Sequence, residues 1–219
     1  GNPSLNVVGS IKDVTIDTKV VGDAKIDASL ENRKFKIRTL KLPVDDGLIA
    51  AGGTVDLDGD ADLQIAVRDV DIEPFLPLIG DNINATGSIT GVINMTGATK
   101  NPKVELSASL ANGSYNGIDI DQGFVLATME NHVINVQRIQ GVKEDYKLSA
   151  YGKIPLAALY TTGYLDANDS KAMDMTIDFN EADMAVIPLI TPTVKDATGA
   201  LKGVVITKEL FKQAVSNQI

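Results

Sequence analysis

Apolar and polar residues alternate along most of this chain with a period of two, the period of a β-strand whose two faces meet different surroundings. Val55, Leu57, Leu63, Ile65 and Val67 hold one phase, while Asp56, Asp58, Asp62, Gln64 and Arg68 hold the other. Asp58-Gly59-Asp60 interrupts the run where a tight hairpin needs a residue that accepts positive φ. Ile26 and Leu30 read the same way, as do Ile37, Ile49, Val125 and Met129. So do Leu148, Ala150, Ile154 and Leu156 around Gly152, and Met175 with Ile177. Ile134 and Val136 share a phase with His132, which places the single histidine on a strand. No long stretch has helical period. Turn signals recur at Gly22-Asp23, Asp45-Asp46-Gly47, Asn112-Gly113, Asn116-Gly117 and Lys143-Glu144-Asp145, so many short strands are expected in an all-β fold.

Two apolar segments break the alternation, Ile72 to Ile79 and Ala182 to Ile190. Each predicts either a short helix, with Pro74 suited to a first turn, or an apolar loop. They belong to an internal repeat. Glu31-Asn32 matches Glu130-Asn131, Ile37 matches Val136, Leu40 matches Ile139, and Leu57 matches Leu156, all at the spacing of Gly53 and Gly152 (152 − 53 = 99). The offset grows to 111 at Pro77 and Pro188 (188 − 77), and to 112 at Gly87 and Gly199 (199 − 87). About twelve surplus residues therefore enter the second copy, between Ala157 and Ser170, where a loop is expected. The units read as residues 1–96 and 97–203, followed over 204–219 by the start of a third or by a helical tail around Glu209 to Val215.

Composition narrows the function classes. A net charge of −9 argues against nucleic acid, whose phosphates call for clustered Lys and Arg. Without Cys there is neither a disulfide framework nor thiol chemistry. The carboxylates of Asp56 to Asp62 fail the calcium-loop spacing, because Gly59 stands fourth and Val67 twelfth. Gly87-x-x-x-Gly91 lies in alternating sequence, where glycines mark kinks or bulges rather than a phosphate loop. No catalytic constellation, metal set or cofactor motif emerges, and the expectation is a protein that is not an enzyme. What remains is the apolar stripe, compatible with a sandwich core and with an open trough. Only 5% of residues are aromatic, which leans toward the trough because large rings would obstruct it.

Ala85-Thr86-Gly87-Ser88-Ile89-Thr90-Gly91-Val92-Ile93-Asn94-Met95-Thr96-Gly97, then Asn101-Pro102 and the strand from Lys103, then Asn112-Gly113, resembles the recurring phrase of the TamB family within the AsmA-like group of lipid transfer proteins. The phrase begins again at Ala197-Thr198-Gly199. The resemblance implies a curled, repetitive antiparallel sheet, a β-taco or open U-shaped groove, with short helical or loop connectors. It implies a periplasmic segment of a protein anchored in the inner membrane of a diderm bacterium. Its groove would conduct phospholipid acyl chains between the two membranes. A link to outer-membrane protein assembly through a barrel partner of the TamA type is implied as well. On that reading the groove is lined by Ile26, Leu30, Ile37, Ile49, Val55, Leu57, Leu63, Ile65 and Val67 in the first unit. Val125, Met129, Ile134, Val136, Leu148, Ala150, Ile154, Leu156, Met175 and Ile177 line it in the second. The competing reading is a structural or adhesive β-repeat protein of the bacterial surface with a closed core.

Overall fold

A computed structural model describes residues 4–16, 19–79, 84–144, 146–159, 172–183 and 200–207. The first half of the sheet comprises β1 (Ser4–Ile16), β2 (Lys19–Glu31), β3 (Lys34–Val44), β4 (Gly47–Asp56), β5 (Asp60–Asp71) and β6 (Ala85–Ala98). The second comprises β7 (Lys103–Tyr115), β8 (Ile118–Glu130), β9 (Val133–Lys143), β10 (Tyr146–Pro155), β11 (Asp174–Asp183) and β12 (Ala200–Thr207). All twelve form one sheet in which every strand lies beside its neighbours in sequence, antiparallel throughout. β1 and β12 stand at opposite edges, so the sheet is open and not a barrel.

Short turns set this meander. β2 and β3 are joined by Asn32 and Arg33, both at positive φ (49° and 64°), and β8 and β9 by Asn131 and His132 (51° and 60°). Such two-residue turns match the twist of the strands they connect. His132 therefore sits in a tight turn and not, as its phase suggested, on a strand. Asn116-Gly117 makes the equivalent turn between β7 and β8.

Gly22-Asp23 and Asn112-Gly113 also differ from expectation, since both lie inside strands. Asn112 has φ 49° and Gly22 φ 149°, and the pairing skips a residue beside each. These are bulges, which use the same permissive residues as turns without reversing the chain.

The sheet repeats itself. β1, β2 and β3 begin at 4, 19 and 34, and β7, β8 and β9 at 103, 118 and 133, each pair 99 apart (103 − 4). Irregularities recur at the same spacing. Arg38 bulges from β3, where Ile37 opposes Gly53 and Leu40 opposes Ala51. Gln137 bulges from β9, where Val136 opposes Gly152 and Ile139 opposes Ala150. The shift between Val67 and Val70 in β5 returns between Phe179 and Ala182 in β11, at the larger offset (179 − 67 = 112). The surplus residues enter between β10 and β11 and open with a helical turn, α2 (Leu156–Leu159). Between β5 and β6 the apolar connector folds as a 3₁₀ turn, Glu73–Phe75, followed by α1 (Leu76–Ile79). Its expected counterpart beyond Asp183 and the tail from Glu209 lie outside the described residues.

Candidate functional site

The cross-strand register shows what the alternation builds. Starting at Gly9, one row of opposed residues runs through Ile26, Leu40, Ala51, Ile65 and Ile93. It continues through Leu106, Ala127, Val136, Gly152 and Met175 to Thr207, crossing all twelve strands. Only the last position is polar. A second row runs from Leu42 through Ile49, Val67, Gly91, Ala108, Val125, Ile139, Ala150 and Ile177 to Val205. At the usual strand spacing of about 4.8 Å, this apolar face extends roughly 50 Å across the strands.

Seventeen of the nineteen residues expected to line a groove lie on this face. Leu30 and Val55 sit in a row with Phe35, while Ile37, Leu63, Met129, Ile134 and Ile154 sit in another with Met95 and Val104. Leu148 pairs with Gly141. Leu57 and Leu156 fall just past the ends of β4 and β10, in a turn and in α2. Even there the repeat holds, since the Leu57 N–H donates to the Arg33 carbonyl at 3.1 Å and the Leu156 N–H to the His132 carbonyl at 2.8 Å.

Leu40, Ala51, Ile93, Leu106, Ala127 and Ile139 belong to the face as well. The alternation misses Leu40 and Ile139 because a bulge puts two residues, not one, between them and the preceding inward position. The signal that finds them is the repeat, which pairs Ile37 with Val136 and Leu40 with Ile139.

No second sheet covers this face among the described residues. Most of its side chains are half-buried, and at its β1 end Leu5 keeps 59% of its surface and Ile11 54%. Two places are closed. Val136, Ala150, Met175 and Ile177 form a buried cluster on β9 to β11. Val21, Val44 and Val70 form another at one end of the strands, where Phe75 of the connector packs against it. That cluster joins β2, β3 and β5 across the apolar face.

The opposite face is mostly polar and internally bonded, with Val8, Val92, Phe124 and Leu126 exposed among its polar residues. Arg38, raised on its bulge, donates to Asp27, Ser29 and Asn6 at 2.6, 3.1 and 2.6 Å, tying β1, β2 and β3 together. Gln137 holds the same place in the second copy and donates to Thr128, the equivalent of Ser29, at 3.1 Å. Asp58 in the β4–β5 turn accepts two hydrogen bonds from Arg33, which hold its carboxyl below the usual carboxylate range. Among the described residues no group of acidic or His side chains is placed to hold a metal ion, and no helix is long and apolar enough to cross a membrane.

The fold and this face define a class: an open, curled, repetitive antiparallel sheet with one apolar and one mostly polar side. Comparison with models of known families, with curated proteins and with solved structures finds no significant match to this chain.

Proposed function

We propose that the chain is a periplasmic segment of a TamB-like lipid transfer protein and that its apolar face accommodates phospholipid acyl chains passing between the inner and outer membranes of a diderm bacterium. What supports this reading is the apolar row that crosses every described strand of a sheet with no second layer over it among the described residues. A buried methylene is worth about 0.8 kcal/mol, so an alkyl chain laid along such a row is held through its length. Among the described residues no converging polar groups fix its position, and nearly identical surroundings from one repeat to the next allow it to slide. The phrase around Gly87 and Asn101-Pro102 supports the family part of the proposal, and with it the inner-membrane anchor and the barrel partner.

The test is lipid capture. Native mass spectrometry of the chain purified from bacteria should show bound phospholipid, and Ile65→Arg or Val55→Asp should abolish uptake while the strand signal in circular dichroism stays. Both positions are half-buried, so a charge there meets the trough and not a packed interior. Protein that carries no lipid and takes up no apolar dye would instead indicate a structural β-repeat, and the proposal would fail.

A further inference from the structure

We propose that the second repeat holds the phosphate of a bound phospholipid at Lys143, where the apolar face meets the end of β9. The inference rests on the reading of that face as a lipid surface and adds where a head group stands on it.

The two copies differ at this end. In the first, Val21, Val44 and Val70 close the face, Val44 to 1% exposure, and Leu42 and Ile49 pack against them. At the offset of 99, Lys143 takes the place of Val44 (143 − 44 = 99), Gly141 that of Leu42 and Gly123 that of Ala24. The register keeps these positions on one face. Gly141 pairs with Leu148 and Lys143 with Tyr146, as Leu42 pairs with Ile49 and Val44 with Gly47.

The exchange removes packing and adds a charge. Among the described residues nothing lies within 4 Å of where a Cβ on Gly141 would stand, whereas Leu42 fills the equivalent position in the first copy. Tyr146 takes the place of Gly47, where a Cβ would lie 2.3 Å from the Asp69 carbonyl oxygen, so the two copies cannot pack alike here. None of the rows traced across the strands contains a charge. Lys143, one position beyond Gly141 on the same side, supplies one.

Lys143 and Tyr146 are half-buried, and among the described residues neither side chain has a hydrogen-bond or ion-pair partner. The carboxylates beside them, Asp121 and Glu144, are exposed, and Asp121 accepts a hydrogen bond from the Glu144 N–H at 2.6 Å. An ammonium on an apolar surface is a cost to the fold unless an anion meets it. A half-buried lysine keeps its methylenes against apolar surface and its ammonium at the water boundary. The phosphate of a lipid stands at that same boundary when its acyl chains lie over Gly141, Leu148 and Val125. The ammonium and the Tyr146 hydroxyl then both donate to its oxygens, and the lysine contact is charge-assisted.

Competition in detergent micelles between phosphatidylglycerol and diacylglycerol of the same acyl chains, read by native mass spectrometry, tests this. Wild type should retain the phospholipid in preference. Lys143→Val, which copies the first repeat and continues its apolar face, should reduce that preference about fivefold, and Lys143→Arg should keep it. An unchanged preference in Lys143→Val, with both lipids still bound, overturns the head-group site and leaves the lipid face standing. Wild type that binds neither lipid removes the lipid reading and this inference with it. Oleic acid is the third ligand. If Lys143→Val loses oleic acid but keeps the preference for phospholipid, the anion is a free carboxylate and the proposal fails.

Discussion

Gly53 and Gly152 show how closely single residues constrain this sheet. Both have φ values closed to most side chains, 136° and 147°, and both come against the neighbouring strand so tightly that a Cβ would lie 2.1 Å from a carbonyl oxygen, of Asp62 in one copy and of Asp174 in the other. Each stands opposite the residue that precedes a bulge, Ile37 or Val136. Gly53→Ala and Gly152→Ala should each cost about 2 kcal/mol or more in a denaturant titration, through strain and displacement of the neighbouring strand. Gly9→Ala is the control. Nothing lies within 4 Å of a Cβ there, and the change should stay within about 0.5 kcal/mol.

Asp58 supplies the pH dependence at this scale. Its carboxyl is held low, chiefly by the hydrogen bond from Arg33 and also by that charge. A group whose pKa is lower in the folded state contributes stability above its ordinary value and loses it as pH falls toward the folded one. Asp58→Asn should therefore lower the melting temperature slightly at neutral pH, and the difference from wild type should vanish in acid. The pair is exposed, so the effect is small.

Among the elements, the bulges determine which side of each strand faces the trough. Removing one residue from a strand turns every later side chain to the other face. Deletion of Lys36, in the regular part of β3, should therefore put Phe35 on the side opposite Ile37, Leu40 and Leu42, with loss of hydrogen-exchange protection across β2 to β4. Deletion of Arg38 instead removes only the extra residue and leaves Ile37, Leu40 and Leu42 in plain alternation. Arg38→Ala keeps the bulge and removes only hydrogen bonds on the wet face, so its loss of stability should be much smaller than that of the Lys36 deletion. The strands themselves were legible in the sequence, as was the hairpin through Asp58-Gly59-Asp60. The interiors of β2 and β7 were not, because Gly22 and Asn112 have the chemistry of turn residues and only the pairing partners across the strand show that the chain goes straight on.

Across the whole molecule, the apolar face varies in how far it is closed, and substitutions should divide accordingly. Ala150 is 8% exposed within the cluster on β9 to β11, so Ala150→Asp places a charge in a packed interior and should unfold the second copy. Ile154 is half-buried at the margin of that cluster, so Ile154→Asp should cost less stability and act more on uptake of an apolar dye. Equal loss of fold at Ala150 and at Ile65 would show that the face is closed throughout.

The sequence by itself determined the all-β class, the two-sidedness of the strands, and a repeat whose offsets of 99 and 112 recur in the strand starts and bulges. These follow from local rules: a period of two separates the faces, and glycine and asparagine mark the places where the backbone takes positive φ. Tertiary structure decided whether a permissive residue makes a turn or a bulge, which residues join into rows across the strands, and whether a second layer closes the apolar face. Those outcomes depend on partners distant in the chain. Alternation describes a surface, and only the placement of other strands decides what lies over it.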